Sequence, residues 1–237
     1  MTDVTMRILV SATFGLWMGI AGAAQAQTSP VLVELYTSQG CSSCPPADEF
    51  MEELVKSPDV IALSLHVDYW DYIGWRDTFA SPAFTQRQKA YAKAVRSRMI
   101  YTPQMIVGGL DRVEGNDPVQ VAEAIRRHQA QVSPVRLTLT RNGDQIVIRA
   151  EADPPLTKPA RIQVIRYLPE ATVAIGRGEN EGREVTYTNI VTDWQSVADW
   201  PGLAPFEMTA EVTGTDPVVV VVQTVGPADV LATAQVK

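Results

Sequence analysis

A mixed α/β sheet with helices on its faces, followed by an all-β antiparallel sandwich, is the fold class this 237-residue sequence predicts. Three observations carry the prediction. Up to residue 132, short apolar runs alternate with segments of helical period, the pattern of successive βα units. After Ser133-Pro134 the period becomes two, turn residues recur and no helix of convincing length follows. Finally, taking away an N-terminal export segment leaves 211 residues, a length that favours two domains, 27–132 and 133–237.

The export segment is Met1 to Ala26. Arg7 supplies a weakly positive start, Ile8 to Ala23 is almost entirely apolar or small, and Ala24-Gln25-Ala26 is a small-x-small cleavage signature. The apolar stretch is shorter than the roughly 20 residues of a bilayer-spanning helix. A cleaved signal peptide ending at Ala26 is expected, with a periplasmic or secreted protein and no membrane span left after cleavage.

Val31 to Tyr36 reads as a buried strand, Thr37 to Gly40 as a turn, and Ala47 to Val55 as a helix with Phe50, Met51 and Leu54 on one face. Pro45 and Pro46 fit only its first turn, where a missing N–H costs little. A strand at Val60 to Val67 leads into the aromatic, acidic connection Asp68 to Trp75. Ser81-Pro82 opens the next helix and Asp117-Pro118 the last. Between them lie a strand region from Met99 to Val107, a Gly108-Gly109 turn and a strand from Leu110 to Glu114. Beyond residue 133, Val135–Arg141 and Gln145–Ala152 flank the hairpin signal Asn142-Gly143. Further strands are expected at 161–168, 171–175, 184–194, 207–212, 217–225 and 230–236.

The net charge of −7 argues against a nucleic-acid partner, which would call for a clustered basic surface. Cysteine usage is the sharpest compositional fact. An exported protein is free to carry several disulfides, yet this chain has two cysteines, Cys41 and Cys44. A disulfide closing so small a loop removes little chain entropy, which directs attention from stability to redox chemistry.

Reactive dithiols place one exposed sulfur at a helix N-terminus, where free N–H groups and the helix dipole favour thiolate, and a second thiol about one turn later. Cys41 is then the nucleophile and Cys44 the resolving residue. The Ser42 and Ser43 hydroxyls would hydrogen-bond a Cys41 thiolate. Pro45 and Pro46 each remove a donor, leaving the amides of Ser43 and Cys44. An inert local disulfide and a metal site are the alternatives.

The strand, the Cys-x-x-Cys helix, the later Thr102-Pro103 strand entry and the Gly-rich hairpin resemble the thioredoxin superfamily. The resemblance implies that Pro103 is a cis proline facing the dithiol and that Thr102 presents its backbone to a bound peptide. It also places Glu34 where thioredoxins keep a buried acid, a carboxyl that would shuttle the resolving thiol's proton, the alternative being an edge or partly wet Glu. More narrowly, Glu34 to Asp48, together with Gly176 to Arg183 and Tyr187-Thr188-Asn189, resembles a family of exported bacterial proteins of unknown function with a thioredoxin-like fold. The sequence departs from thioredoxin in lacking a Trp before Cys41, in its Ser-Ser dipeptide, in Pro45 and in the long separation from Cys44 to Pro103.

Trp70 and its aromatic neighbours are read as a substrate-facing wall or as a cover for the sheet edge. His66 would complete a copper site with the two cysteines or serve as a satisfied structural histidine. The Gly176–Arg183 segment has the wrong Gly spacing for a dinucleotide fingerprint and reads as a hairpin turn or as a partner-binding loop. Three functions are weighed. The first is a thiol–disulfide oxidoreductase acting on a protein or small-thiol partner, with no cofactor and no metal. The second is a non-catalytic binding protein with a structural disulfide, and the third a copper-binding protein.

Overall fold

The computed structural model describes residues 29–237. The proposed export segment, residues 1–26, lies outside the described residues. The first half runs β1 (Val31–Thr37), α1 (Pro45–Leu54), β2 (Val60–His66), α2 (Pro82–Ala94), β3 (Gln104–Val107), β4 (Asp111–Glu114) and α3 (Pro118–Gln129). The second half is all strand: β5 (Val135–Asn142), β6 (Gln145–Ala152), β7 (Ala160–Ala174), β8 (Glu184–Trp200), β9 (Phe206–Glu211), β10 (Val218–Thr224) and β11 (Val230–Val236).

Local chemistry explains the helix starts. The Ser81 hydroxyl accepts the Ala83 amide and the Asp117 carboxylate accepts that of Gln120, each followed by proline at the first helical position. β1 is buried on both faces and runs parallel to β2, from Val31 opposite Val60 to Thr37 opposite His66. Its alternation divides two cores. Val31, Val33 and Leu35 face α1 and α3, whereas Leu32 and Tyr36 face α2. Between β3 and β4, Gly109 has a φ of +75° and sits so close to the β10–β11 turn that a Cβ would lie 2.1 Å from the Ala228 carbonyl oxygen. Only glycine meets both requirements.

The strands expected to form a separate sandwich join the first sheet. One eight-stranded mixed sheet has the order β11-β10-β7-β8-β2-β1-β3-β4, and β5-β6-β9 form a second, antiparallel sheet. The small sheet lays Leu137, Ile146 and Ile148 against Ile162, Val164, Val218, Val220 and Val222 of the large one. Val219 and Val221 point the opposite way, into the core beneath α2, so the whole valine run of β10 is buried. A period of two identifies strands and their faces but carries no information on which strand they pair with, which is why the continuity was not apparent from the sequence.

The join is thin in backbone terms. β8 meets β2 in parallel through the single pair Ser64 and Ile190. Side chains complete the seam. The Ser64 hydroxyl donates to the Thr188 carbonyl at 2.8 Å, and the Asn189 amide donates to the Ala62 carbonyl at 2.9 Å. Asn189 adopts a left-handed φ of 49°, and Pro169 lies in β7 between the paired residues Leu168 and Glu170. Proline has no N–H to offer a ladder, so the expected strands 161–168 and 171–175 are one strand with a local gap in its bonding.

Candidate functional site

The Cys-x-x-Cys segment bridges β1 and α1. The Cys41 amide donates to the Ser38 carbonyl at 3.1 Å, and the Cys44 amide to the Cys41 carbonyl at 3.2 Å. Cys44 is the residue capping α1, with Pro45 and Pro46 opening the helix, and the Ala47 and Asp48 amides converge on its carbonyl at 2.8 and 3.1 Å. Cys41 and Cys44 form a disulfide with their Cα atoms 5.4 Å apart. Of the two amides left to stabilise a thiolate, that of Cys44 is engaged with Cys41's own carbonyl.

Residues picked out from the sequence gather here. The Ser43 hydroxyl lies 3.5 Å from the Cys41 sulfur and donates to the Thr102 carbonyl at 3.4 Å. The Thr102 hydroxyl in turn accepts the Trp70 indole N–H at 2.7 Å. Asn116 donates to the Ser43 carbonyl, and the Gly115 amide to the Pro103 carbonyl. The Thr102–Pro103 bond is cis, and Pro103 lies against Gly115 beside Ala47 of α1. Ser42 and Ser43 are exposed. Trp70 stacks on the exposed Tyr72, forming an aromatic wall beside the Ser43–Thr102 contact.

Cys41 is only 1% exposed and Cys44 is fully buried, contrary to the exposed attacking sulfur expected from the motif. The far half of the chain reaches this turn. At the tip of the β7–β8 hairpin, buried Asn180 donates its amide to the carbonyls of both Gln39 and Cys41, each at 2.9 Å. Trp75 braces the hairpin, since a Cβ on Gly176 or Gly178 would lie 3.3 or 3.4 Å from its side chain, and it also donates to the Gln39 side chain.

Glu34 is not brought to the dithiol. It occupies the α2 face of β1, where Arg87 binds both carboxylate oxygens and the Tyr36 and Tyr91 hydroxyls donate to them. Arg87 lies over the Trp194 ring at 3.8 Å and is held further by Gln163 and Gln223. A carboxylate with four donors and a charge partner is a structural anchor tying α2 to the sheet.

A second buried carboxyl lies in α1 itself, at Asp48, one helical turn after Cys44. Thr37 donates to it at 2.7 Å, and burial pushes its carboxyl up to about 7 despite the opposing field of His66 and the Thr37 bond. His66, also fully buried, holds Asp77 through Nδ1 at 2.7 Å, and its Nε2 has no partner. Burial alone would raise the Asp77 carboxyl, but His66 and the Gln39 and Phe79 amides outweigh it and hold it below the ordinary range. Tyr187 closes the cluster with its ring 4.7 Å from that of His66, and burial raises its hydroxyl well above the usual value. Among the described residues, no group of three or more His, Cys, Asp or Glu is arranged to hold a metal ion.

Sequence reasoning passed over Asp48, Asp77 and Asn180. Asp48 carried a signal, being a charged residue beside Ala47 and Met51 on the buried face of α1. Asn180 carried none beyond its place in a Gly-rich hairpin.

No helix among the described residues is long and apolar enough to cross a membrane. The chain belongs to the family described as protein of unknown function, DUF1223, whose profile matches residues 32–223. A crystal structure of a protein from Agrobacterium tumefaciens is 32% identical, covering 89% of this chain and 96% of that one with a TM-score of 0.76. HBP35 of Porphyromonas gingivalis is 12% identical, covering 88% of this chain and 75% of that one with a TM-score of 0.62, a likeness of fold alone. Comparison with curated proteins finds no match.

Proposed function

We propose that this member of the family is an exported thiol–disulfide oxidoreductase whose first half is a thioredoxin-like domain and whose chemistry is that of Cys41 and Cys44. The observation that carries the reading is the pairing of a disulfide at the start of α1 with a buried carboxyl one helical turn later, Asp48, which burial pushes up to about 7. The β-α-β-α-β-β-α order of the first half and the placement of Pro103 against α1 support the thioredoxin-like assignment. Export is supported by the sequence signature ending at Ala26 and agrees with a chain whose two cysteines are both oxidised.

The reductant is a dithiol, on a protein or a small molecule. Its thiolate attacks the Cys41 sulfur, the Cys41–Cys44 bond breaks, and Cys44 leaves as a thiolate that takes the Asp48 proton. The reductant's second thiolate then attacks its own sulfur in the mixed disulfide and releases the Cys41 thiolate. Two electrons pass to the cysteine pair and the reductant becomes a disulfide. In the reverse direction Asp48 accepts the Cys44 proton. Thr102 and the Trp70 wall would border the bound substrate.

The test is to trap a mixed disulfide with a Cys44→Ala variant and to measure the potential of the pair. A trapped partner and a potential above about −300 mV are expected. The burial of both cysteines favours one competing reading, a binding protein with an inert disulfide. A lower potential with nothing trapped would establish that reading instead.

A further inference from the structure

We propose that the β7–β8 hairpin is a gate over the disulfide, latched by Asn180, and that it must open before a thiolate can reach Cys41. The inference rests on the redox reading only in taking Cys41 as the attacked sulfur, and it assigns a role to the all-β half of the chain. Cys41 is covered in the closed state, with 1% of its surface exposed. Buried Asn180, 139 positions further along the chain, is hydrogen-bonded to the Cys41 carbonyl.

The latch is specific. A single side-chain amide bridges the carbonyls of Gln39 and Cys41, the residues flanking Gly40, and so clamps the turn that leads into the dithiol. Trp75 lies beside the hairpin at Gly176 and Gly178, the latter at a φ of +84°, and ties it to the Gln39 side chain. The latch is also incomplete. The Asn180 Oδ1 is buried without a hydrogen-bond partner, a cost to the closed state that opening into water removes. The tip itself is lightly held, with Arg177, Glu179, Glu181 and Gly182 exposed. Two bonds from a neutral donor balanced against one orphaned acceptor describe a closure that a docking partner can displace.

Asn180 is therefore a positioning residue that governs access to the reaction and takes no part in the chemistry. Asn180→Asp keeps the size and loses the donor, and Asn180→Ala removes the side chain. Each is expected to speed reduction of the oxidised protein by dithiothreitol about thirtyfold, the scale of two neutral hydrogen bonds, with Glu179→Gln as an unaffected control. The reduction potential should stay unchanged, because the gate alters access and not the relative stability of the oxidised and reduced forms. A parallel shift in potential would mark Asn180 as merely structural and overturn the proposal, as would an unaltered rate. In the unsubstituted protein the rate should level off at high reductant, where gate opening becomes limiting, and strictly linear dependence would also overturn it. None of these readouts needs catalytic turnover. An inactive protein with a functioning gate would refute the oxidoreductase reading and leave this one standing.

Discussion

Thr37 and His66 are register partners across β1 and β2, and through that pairing the Asp48 carboxyl comes to rest beside an imidazole. Parallel neighbours in register point to the same face of a sheet, here the face covered by α1. The Thr37 hydroxyl fixes Asp48 and Asp77 fixes His66. Asp48, His66 and Asp77 thus form a buried cluster of ionisable groups on the α1 face, while Glu34, on the same strand as Thr37 but on the opposite face, is committed to Arg87.

Asp48 makes stability depend on pH in a defined direction. Burial raises its carboxyl to about 7, against about 3.9 in an unfolded chain. With the folded value the higher, its contribution is complete below about pH 4 and is lost as pH rises through about 7. A displacement of about three units amounts to on the order of 4 kcal/mol. Asp48→Asn cannot ionise. Denaturation of the oxidised protein at about pH 5 and about pH 8 should show the natural chain losing about 2.5 kcal/mol more than the variant. Equal losses would show that Asp48 does not carry the raised carboxyl.

Glu34→Gln separates the two buried acids. Removing the charge opposite Arg87 should cost about 3 kcal/mol, the lower end for exposing an unpaired buried charge, since Gln keeps one acceptor. The pH profile of disulfide exchange should be unchanged. A slowed Cys44-dependent step would restore Glu34 as the proton carrier and displace Asp48.

How much of this was legible in the sequence follows from the range of each interaction. The cysteine pair, the Ser81 and Asp117 caps and the element order of the first half depend on residues a few positions apart, and all were readable. For Glu34 the resemblance offers a role, a buried acid against an edge Glu, but not a face. On a strand one position separates the α1 side from the α2 side, and Glu34 lies on the latter. The β2–β8 seam has one backbone pair and two side-chain bonds linking residues more than a hundred positions apart, with no local pattern to announce it. Asn180 escaped for the same reason, since its function is defined by two carbonyls in a distant turn.

His66 should act on Asp48 through its charge. Its field lowers the Asp48 carboxyl against the larger effect of burial. His66→Gln removes that field, and the Asp48 titration followed by NMR should move upward from about 7. An unchanged or lower midpoint would show that the imidazole is neutral and that its role is confined to holding Asp77 at 2.7 Å.

The seam between β2 and β8 links stability to the gate. Ser64→Ala together with Asn189→Ala removes both side-chain bonds, and a loss of about 2 kcal/mol is expected, about 1 for each bond. Asn189 adds to this because its left-handed φ of 49° suits Asn better than Ala. β8 also carries Tyr187 against His66, and its start at Glu184 closes the hairpin that holds Asn180. A loosened seam should therefore admit reductant to Cys41 faster, in the same direction as Asn180→Asp, with amide exchange in β8 rising before that in α1. A stability loss of that size with an unaltered reduction rate would show that the contacts of Asn180 and Trp75 hold the hairpin closed without help from the seam.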